Sequence, residues 1–297
     1  MTERKKPKIL HDTIISIVYF KKIQTSIYDK SMKKINLNDG TPIYCLKETE
    51  AIVLDEHIKG YFSFGTNLDN KAVIVDIGAN IGVFGVRLSK KFKNIQIHSF
   101  EPIPEIYNAL KKNSEISLNR NFKTYRMGIS NVNKLLNFTY YPNSPALSTT
   151  KPEIWENDKE HFFSAVNGSL SNIPKNFWWA KLIPKFSIPL IAKYLTANHQ
   201  QVKSQVITLS SFIENKKIKN IDLLKIDCEG EEVNVLKGIQ TKHWSIIQSV
   251  VMEVNDIQNN IEISKTILSK NGFHKIEMEK EKGFEETKLT NIYASKH

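Results

Sequence analysis

The chain has 297 residues, 40% of them hydrophobic, enough for a sizeable core. Its two cysteines lie far apart, which excludes a disulfide framework and a cysteine-clustered zinc site and favours a cytoplasmic protein. The formal charge is +11, but only four of the 42 basic residues are arginines, so a nucleic-acid substrate is disfavoured.

Residues 1–40 are predicted to form a basic helical extension before a domain at 41–297. Five apolar residues of the extension have the spacing of one helix face: Ile14, Ile15, Val18, Tyr19 and Ile23. The apolar run at 14–20 is too short to span a bilayer. We expect this helix to pack on the domain. Homodimerisation, contact with an acidic carrier protein, and peripheral membrane docking through residues 1–34 are the alternatives.

Strand-like and helix-like segments alternate from about residue 72, which predicts a parallel sheet with helices on its faces. The predicted strands are 72–77, 95–100, 122–127, 221–226 and 249–254. The predicted helices are 83–92, 104–114, 231–239 and 261–271. A last pair of strands near Phe273 and Ile292 is expected to close the sheet.

The stretch VIVDIGANIGVF, residues 73–84, runs from a strand through a glycine turn into a helix. This arrangement places a ligand at the carboxyl edge of a parallel sheet. Asn80 stands between Gly78 and Gly82, where a dinucleotide fingerprint has a glycine, so a pyrophosphate ligand is disfavoured. A Walker loop is excluded because no Gly-Lys-Ser/Thr follows.

These residues carry a resemblance. Asp76-Ile-Gly-Ala-Asn-Ile-Gly82 resembles motif I of class I S-adenosylmethionine-dependent methyltransferases, and Phe100-Glu-Pro102 resembles the end of their second strand. More specifically, the chain is similar to the FkbM family over residues 41–146 and 206–256, about half its length. The further matching segments are Lys47-Glu-Thr49, Glu56, Phe138-Thr-Tyr-Tyr-Pro142, residues 221–230 and residues 250–256.

The resemblance implies a doubly wound, mostly parallel α/β sheet of seven strands that binds S-adenosylmethionine. The glycine turn, with Asp76, Gly78, Ala79, Asn80 and Gly82, is expected to hold the methionine moiety against the free amides of the following helix.

Glu101, followed by Pro102, is expected to accept hydrogen bonds from the ribose hydroxyls, unless it is merely a solvated loop acid. Gly128, Ile129 and Ser130 match a Gly-Leu-Ser whose backbone flanks the adenine in the family. Alternatively, Gly128 serves only a turn with positive φ.

The expected chemistry lies at the end of the strand 221–226. Asp227 and Glu229 are the candidate catalytic residues: Glu229 as the base for an acceptor hydroxyl, and Asp227 to orient the cofactor's amino group or a cation. Glu231 and Glu232 begin a helix, where negative charge is favoured, and are assigned no chemistry.

Asp227, Asn255 and Asp256 end two neighbouring predicted strands, a layout similar to the Mg²⁺ site of catechol-type methyltransferases. Many FkbM members have histidine where this chain has Asn255, which leaves the local role of that residue open.

Residues 148–203 interrupt the family pattern and hold three of the four tryptophans. We expect a lid or substrate-recognition segment. The apolar and lysine-rich stretch 176–195 leaves two alternatives, a membrane-surface or protein docking site and plain structural packing.

The sequence therefore predicts a methyltransferase that acts on a hydroxyl of a small molecule, natural-product intermediate, sugar or carrier-bound substrate. The alternatives are N-methylation, methylation of a phosphorylated or phosphoramidate glycan group, and a catalytically silent cofactor-binding scaffold.

Overall fold

The computed structural model describes residues 32–61, 68–171, 180 and 182–296. Strands and helices are numbered in chain order within these residues. The strands are β1 Lys33–Asn36, β2 Pro42–Cys45, β3 Val73–Ile77, β4 Gln96–Phe100, β5 Phe122–Tyr125, β6 Gly128–Ile129, β7 Lys134–Tyr140, β8 Gln200–Ile207, β9 Ile221–Ile226, β10 Ile247–Asn255, β11 Lys275–Glu279 and β12 Leu289–Ser295. The helices are α1 Glu48–Tyr61, α2 Val83–Lys91, α3 Pro104–Ile116, α4 Glu153–Glu156, α5 Lys159–Ser171, α6 Ile188–Thr196, α7 Leu209–Lys216, α8 Glu232–Lys237, α9 Thr241–Trp244 and α10 Asn260–Lys270.

The central sheet has seven strands in the order β11-β12-β10-β9-β3-β4-β5. Only β12 opposes the others in this sheet, because it pairs antiparallel with both β10 and β11. The middle strands are buried on both faces, as their near-continuous apolar sequences require. The predicted fold class is confirmed, a doubly wound and mostly parallel sheet of seven strands.

A second sheet has the order β6-β8-β7. The predicted strand 122–127 ends at Tyr125, and the chain then turns so that Gly128 pairs with Val206 of β8. Residues 134–140 pair antiparallel with β8 over its whole length. The segment expected to flank the cofactor therefore belongs to a second sheet, separate from the seven-stranded one.

Strands β1 and β2 form an antiparallel hairpin that crosses the domain boundary predicted at residue 40. The Asn113 side chain holds the hairpin by accepting from the Tyr44 amide at 2.6 Å and donating to the Tyr44 carbonyl at 2.7 Å. Residues 33–297 form one compact unit. The amphipathic helix predicted around residues 14–23 lies outside the described residues.

The insertion at 148–203 contains α4, α5, α6 and the start of β8. It has a hydrophobic cluster of its own, formed with Tyr141 by Ile154, Trp155, Phe162, Val166, Ile188 and Ala192. Trp178 and Trp179 lie outside the described residues. Within the residues described, no helix is both long enough and apolar enough to cross a membrane.

Candidate active site

The strand order reverses between β3 and β9, and ligands of such sheets bind beyond the carboxyl ends of the strands at this point. The glycine turn follows β3, and the amides of Gly78 and Ala79 donate to the Phe100 carbonyl at the end of β4, at 3.1 and 2.9 Å. Asn80 accepts from the Ile81 amide at 2.6 Å. These bonds place the predicted turn residues at the switch point.

Gly78 is required by the protein's own backbone. Its φ is +71°, and a Cβ there would lie 1.7 Å from the Asp227 carbonyl oxygen at the end of β9. At Gly82, which begins α2 with φ +85°, a Cβ would lie 2.6 Å from Leu110. From the sequence, both glycines were predicted to let the turn come close to a ligand. Each glycine also allows the turn to pack closely on neighbouring elements.

Glu101 is buried, with 6% of its surface exposed, so it is not a solvated loop acid. Its Oε1 accepts from the Ile103 amide at 2.9 Å, and the Asn80 amide also donates to this carboxylate. Burial raises the pKa of Glu101 to about 7. The Pro102 carbonyl accepts from Ser204 at 2.6 Å, which joins this strand end to β8.

Lys225 is a central residue that the sequence argument missed. Its buried ammonium lies 3.3 Å from a carboxylate oxygen of Asp76 and 3.3 Å from one of Asp227. It also donates to the Gly78 carbonyl at 2.9 Å. Burial disfavours the charge, but the two carboxylates outweigh it and raise the pKa of Lys225. A lysine inside the mostly apolar strand IDLLKI was the signal available, since lysine is seldom buried without a partner.

The loop after β9 holds Glu229 in the left-handed region, at φ +54°. This conformation costs about 1–2 kcal/mol for a residue with a Cβ. Glu232 stabilises the loop by accepting from the amides of Gly230 at 2.8 Å and Cys228 at 3.3 Å. The hydroxyl of Thr149 donates to the Glu229 carbonyl at 2.6 Å. Glu232 thus does more than begin a helix, and burial raises its pKa to about 7.

Burial and the neighbouring carboxylates Asp227, Glu253 and Glu232 raise the pKa of Glu229 well above its usual value. Glu229 is therefore harder to ionise than a glutamate in water. A carboxyl group with a shifted pKa in a strained loop is typical of a catalytic position.

A second cluster missed by the sequence argument borders Asp227. His57 on α1 contacts Glu281 through Nδ1 at 2.5 Å and Glu253 through Nε2 at 3.2 Å. Its Nε2 also lies 2.9 Å from the Tyr61 hydroxyl, which donates to Asp227 at 3.3 Å. Burial opposes protonation, but Glu253 and Glu281 outweigh it and raise the pKa of His57. An imidazolium accordingly bridges the two carboxylates.

Gly128 and Ile129 form the short strand β6, and Ser130 follows it directly. Gly128 is not among the residues with positive φ in the described part of the chain, so a positive-φ turn does not explain it. Ile129 is buried in the main core, and Ser130 donates to Glu231 at 2.9 Å. Glu231 also accepts from Thr150 at 2.9 Å, which gives it a structural role.

The predicted magnesium ligands gain no support from the described residues. Asn255 is buried, and its side-chain amide lies 3.1 Å from Nε2 of His161. Asp256 accepts from the Ile261 amide at 3.1 Å at the start of α10. The group of metal-ligand types found in the described chain is His57 with Glu253 and Glu281. Its carboxylates contact opposite ring nitrogens, which fits a bridging imidazolium better than a shared ion.

The insertion lies against the loop that carries Glu229. Besides Thr149, Lys151 donates to the Gly230 carbonyl at 2.5 Å. Gly230 packs so closely on Ile154 that a Cβ would lie 2.4 Å from it. His161 of α5 accepts from the Lys288 amide at 3.1 Å, which joins the insertion to the start of β12.

Known methyltransferases match the sequence of this chain. A family model described as the methyltransferase FkbM domain matches residues 76–285. "Methyltransferase 1" of Beauveria bassiana is 29% identical, over 82% of this chain and 89% of its own. "31-O-demethyl-FK506 methyltransferase FkbM" of Streptomyces tacrolimicus is 24% identical over the same shares of the two chains.

Among solved structures, TYW2 of M. jannaschii in complex with AdoMet is 11% identical, with a TM-score of 0.43 over 90% of this chain and 85% of that one. A likeness of this size says nothing about the substrate. The family model covers well over half of the chain, from the end of β3 to beyond β11. The chain belongs to the FkbM family of S-adenosylmethionine-dependent methyltransferases.

Proposed function

We propose that this methyltransferase transfers the methyl group of S-adenosylmethionine to a hydroxyl oxygen of a small molecule, natural-product intermediate, sugar or carrier-bound substrate. One observation carries the proposal. The glycine turn after β3, Glu101 after β4, and the Asp227–Glu229 loop after β9 converge at the switch point of the sheet. A cofactor bound across the glycine turn and Glu101 would present its methyl group toward the Asp227–Glu229 loop.

In this proposal the turn at 78–82 holds the methionine moiety at the start of α2, and Glu101 accepts from the ribose hydroxyls. The backbone of residues 128–130 flanks the adenine. Lys225 orders the site from within, because its ammonium fixes Asp76, Asp227 and the Gly78 carbonyl together. The Asp227 side chain keeps 23% of its surface exposed, so it can also orient the cofactor's amino group.

Glu229 is the proposed base. The positive sulfonium of the bound cofactor favours the ionised form of Glu229, so cofactor binding prepares it to accept the acceptor's proton. General bases of this kind contribute about 10²–10⁴-fold to the rate, and positioning of the acceptor in line with the methyl–sulfur bond supplies much of the remainder. The insertion, which contacts residues 229–230, is the proposed substrate-recognition segment.

Transfer to oxygen is supported by the name of the Streptomyces relative, which specifies an O-methylation. Transfer to an amine is the second candidate, because Glu229, Glu253 and Asp227 form an acidic region that would attract an ammonium group. The same carboxylates would repel a phosphorylated acceptor, which disfavours a phosphorylated glycan.

The first test is calorimetric titration with S-adenosylhomocysteine. We expect wild-type binding in the micromolar range, weakened about tenfold or more by Glu101→Ala and less by Asp227→Asn. Glu105→Ala, an exposed acid four residues further on, is the matched control and should bind like wild type. Equal affinity of Glu101→Ala and Glu105→Ala would contradict the ribose assignment.

A panel of paired hydroxyl and amine acceptors then separates the two candidate reactions by mass spectrometry of the products. Methylation confined to amines would replace the proposed reaction with the second candidate. Cofactor binding without turnover on any acceptor class would instead favour a silent scaffold.

A further inference from the structure

The insertion exposes a group of large apolar side chains. Leu182, Phe186 and Leu190 are 66%, 80% and 60% exposed, and they follow one another at intervals of four residues. Three of the six large hydrophobic side chains that are exposed in the described chain therefore fall within nine residues. Scattered exposed leucines need no explanation, but a cluster of this kind marks an interaction surface.

The exposed side chains share one helical face. Lys185, Phe186, Pro189, Leu190 and Lys193 are all exposed, and their spacing places them together on the outer side of α6 and the single turn of 3₁₀ helix before it. The opposite side of α6 packs inward through Ile188 and Ala192 on the cluster of the insertion. The outward face, which we call the docking face, is thus presented by an anchored element.

The sequence segment that carries the docking face has lysines but no acids. No aspartate or glutamate occurs between Glu160 and Glu214, whereas five lysines do: Lys175, Lys181, Lys185, Lys193 and Lys203. Within the part of the chain that the structure describes, neither Lys185 nor Lys193 pairs with a carboxylate. Apolar side chains flanked by unpaired lysines complement a surface with anionic groups on the outside and an apolar layer beneath them.

We propose that the docking face binds the surface of a membrane that contains anionic lipids. Phe186 and Leu190 enter the boundary between headgroups and acyl chains, and Lys185 and Lys193 lie at the level of the lipid phosphates. This interaction is independent of methyl transfer. It would hold the protein at the interface with the insertion toward the lipid.

The charge pattern favours lipid over a second copy of the chain. A symmetric dimer through the docking face would bring the same patch of each subunit together. Lys185 and Lys193 of one copy would then face the lysines of the other, and the sequence between Glu160 and Glu214 offers no acid to pair with them. An anionic bilayer instead attracts each lysine. Each such lysine raises partitioning of the protein from water onto the membrane about fivefold.

Co-sedimentation of the full chain with vesicles tests the proposal. The vesicles are pure phosphatidylcholine, or equal parts of phosphatidylcholine and phosphatidylglycerol. We expect binding to the anionic vesicles, at least tenfold weaker for Phe186→Ser/Leu190→Ser and several-fold weaker for Lys185→Gln/Lys193→Gln. Leu135→Ser is the matched control, because Leu135 is 62% exposed on β7, away from the docking face. It should bind like wild type.

Three results would overturn the proposal. The first is a wild-type chain that stays in the supernatant with both kinds of vesicle. The second is binding that Phe186→Ser/Leu190→Ser leaves unchanged, which would assign the interaction to another segment of the chain. The third is a dimer in sedimentation equilibrium without lipid that the same double variant dissociates, which would make the docking face a contact between copies.

Discussion

Gly78 offers the sharpest test of how the site is built. In Gly78→Ala the new Cβ would lie 1.7 Å from the Asp227 carbonyl oxygen and 2.7 Å from its carbonyl carbon. The turn and the end of β9 must therefore separate. That movement would stretch two hydrogen bonds. In the wild-type chain the Asp227 amide donates to the Ile77 carbonyl at 3.0 Å, and Lys225 donates to the Gly78 carbonyl at 2.9 Å.

The magnitude follows from two contributions. An alanine at φ +71° costs about 1–2 kcal/mol in the left-handed region. The clash and the weakened hydrogen bonds add about 1–3 kcal/mol. We expect Gly78→Ala to lower the free energy of unfolding by about 2–5 kcal/mol. It should also weaken S-adenosylhomocysteine binding at least tenfold, because the turn moves away from its ligand position.

Gly272→Ala is the matched control. Gly272 has φ +86°, but no heavy atom lies within 4 Å of the Cβ position, so only the conformational cost of about 1–2 kcal/mol applies. Urea unfolding measures the loss of stability, and calorimetry measures the affinity. Equal losses of stability in the two variants, with unchanged affinity in both, would refute the packing argument.

Four further predictions follow from the site. Glu229→Gln should lower kcat about 10²–10⁴-fold and leave the affinity for S-adenosylhomocysteine within a few-fold of wild type; unchanged kcat would remove Glu229 as the base. S-Adenosylhomocysteine should bind about tenfold more tightly at pH 8 than at pH 6, because the raised pKa of Glu101, about 7, leaves it protonated at the lower pH; Glu101→Gln should show no such dependence. Asp55→Ala removes the bidentate partner of the half-buried Arg87 and should cost about 3 kcal/mol in urea unfolding, against less than about 0.5 kcal/mol for Glu262→Ala in an exposed pair. Turnover should persist in excess chelator, because Asn255 and Asp256 are engaged internally; loss that Mg²⁺ restores would revive the magnesium site.

Much of the central sheet was accessible from the sequence, because a strand buried on both faces is mostly apolar and lacks the polar alternation of a half-buried strand. Val73–Ile77 and Ile221–Ile226 show this most clearly. The position of the glycine turn followed too, since a turn between a buried strand and a helix must lie at the carboxyl edge of the sheet. Glu101 was recognised because Phe100-Glu-Pro102 resembles the acidic end of the second strand in class I methyltransferases.

Residues brought together from distant parts of the chain were not accessible in this way. His57, Glu253 and Glu281 meet because α1 and the residues after β11 pack beside β10. Conversely, Asn255 and Asp256 lie at the end of the strand where magnesium ligands were predicted. However, the Asn255 side chain contacts His161, and the Asp256 side chain accepts from an amide at the start of α10. Position in the sequence placed these two at the correct edge without specifying where their side chains point.

The sequence by itself determined the α/β fold class, because hydrophobic period and turn chemistry are properties of neighbouring residues. The family and the candidate cofactor loop followed from the resemblance of residues 76–82 and 100–102 to methyltransferase motifs. Only the tertiary structure decided that Lys225 joins Asp76 to Asp227, that His57 bridges two glutamates, and that Phe186 and Leu190 remain exposed. The physical reason is that ion pairs and burial depend on which elements pack together. Strand order and helix packing bring together groups that are separated by up to 224 positions in the chain.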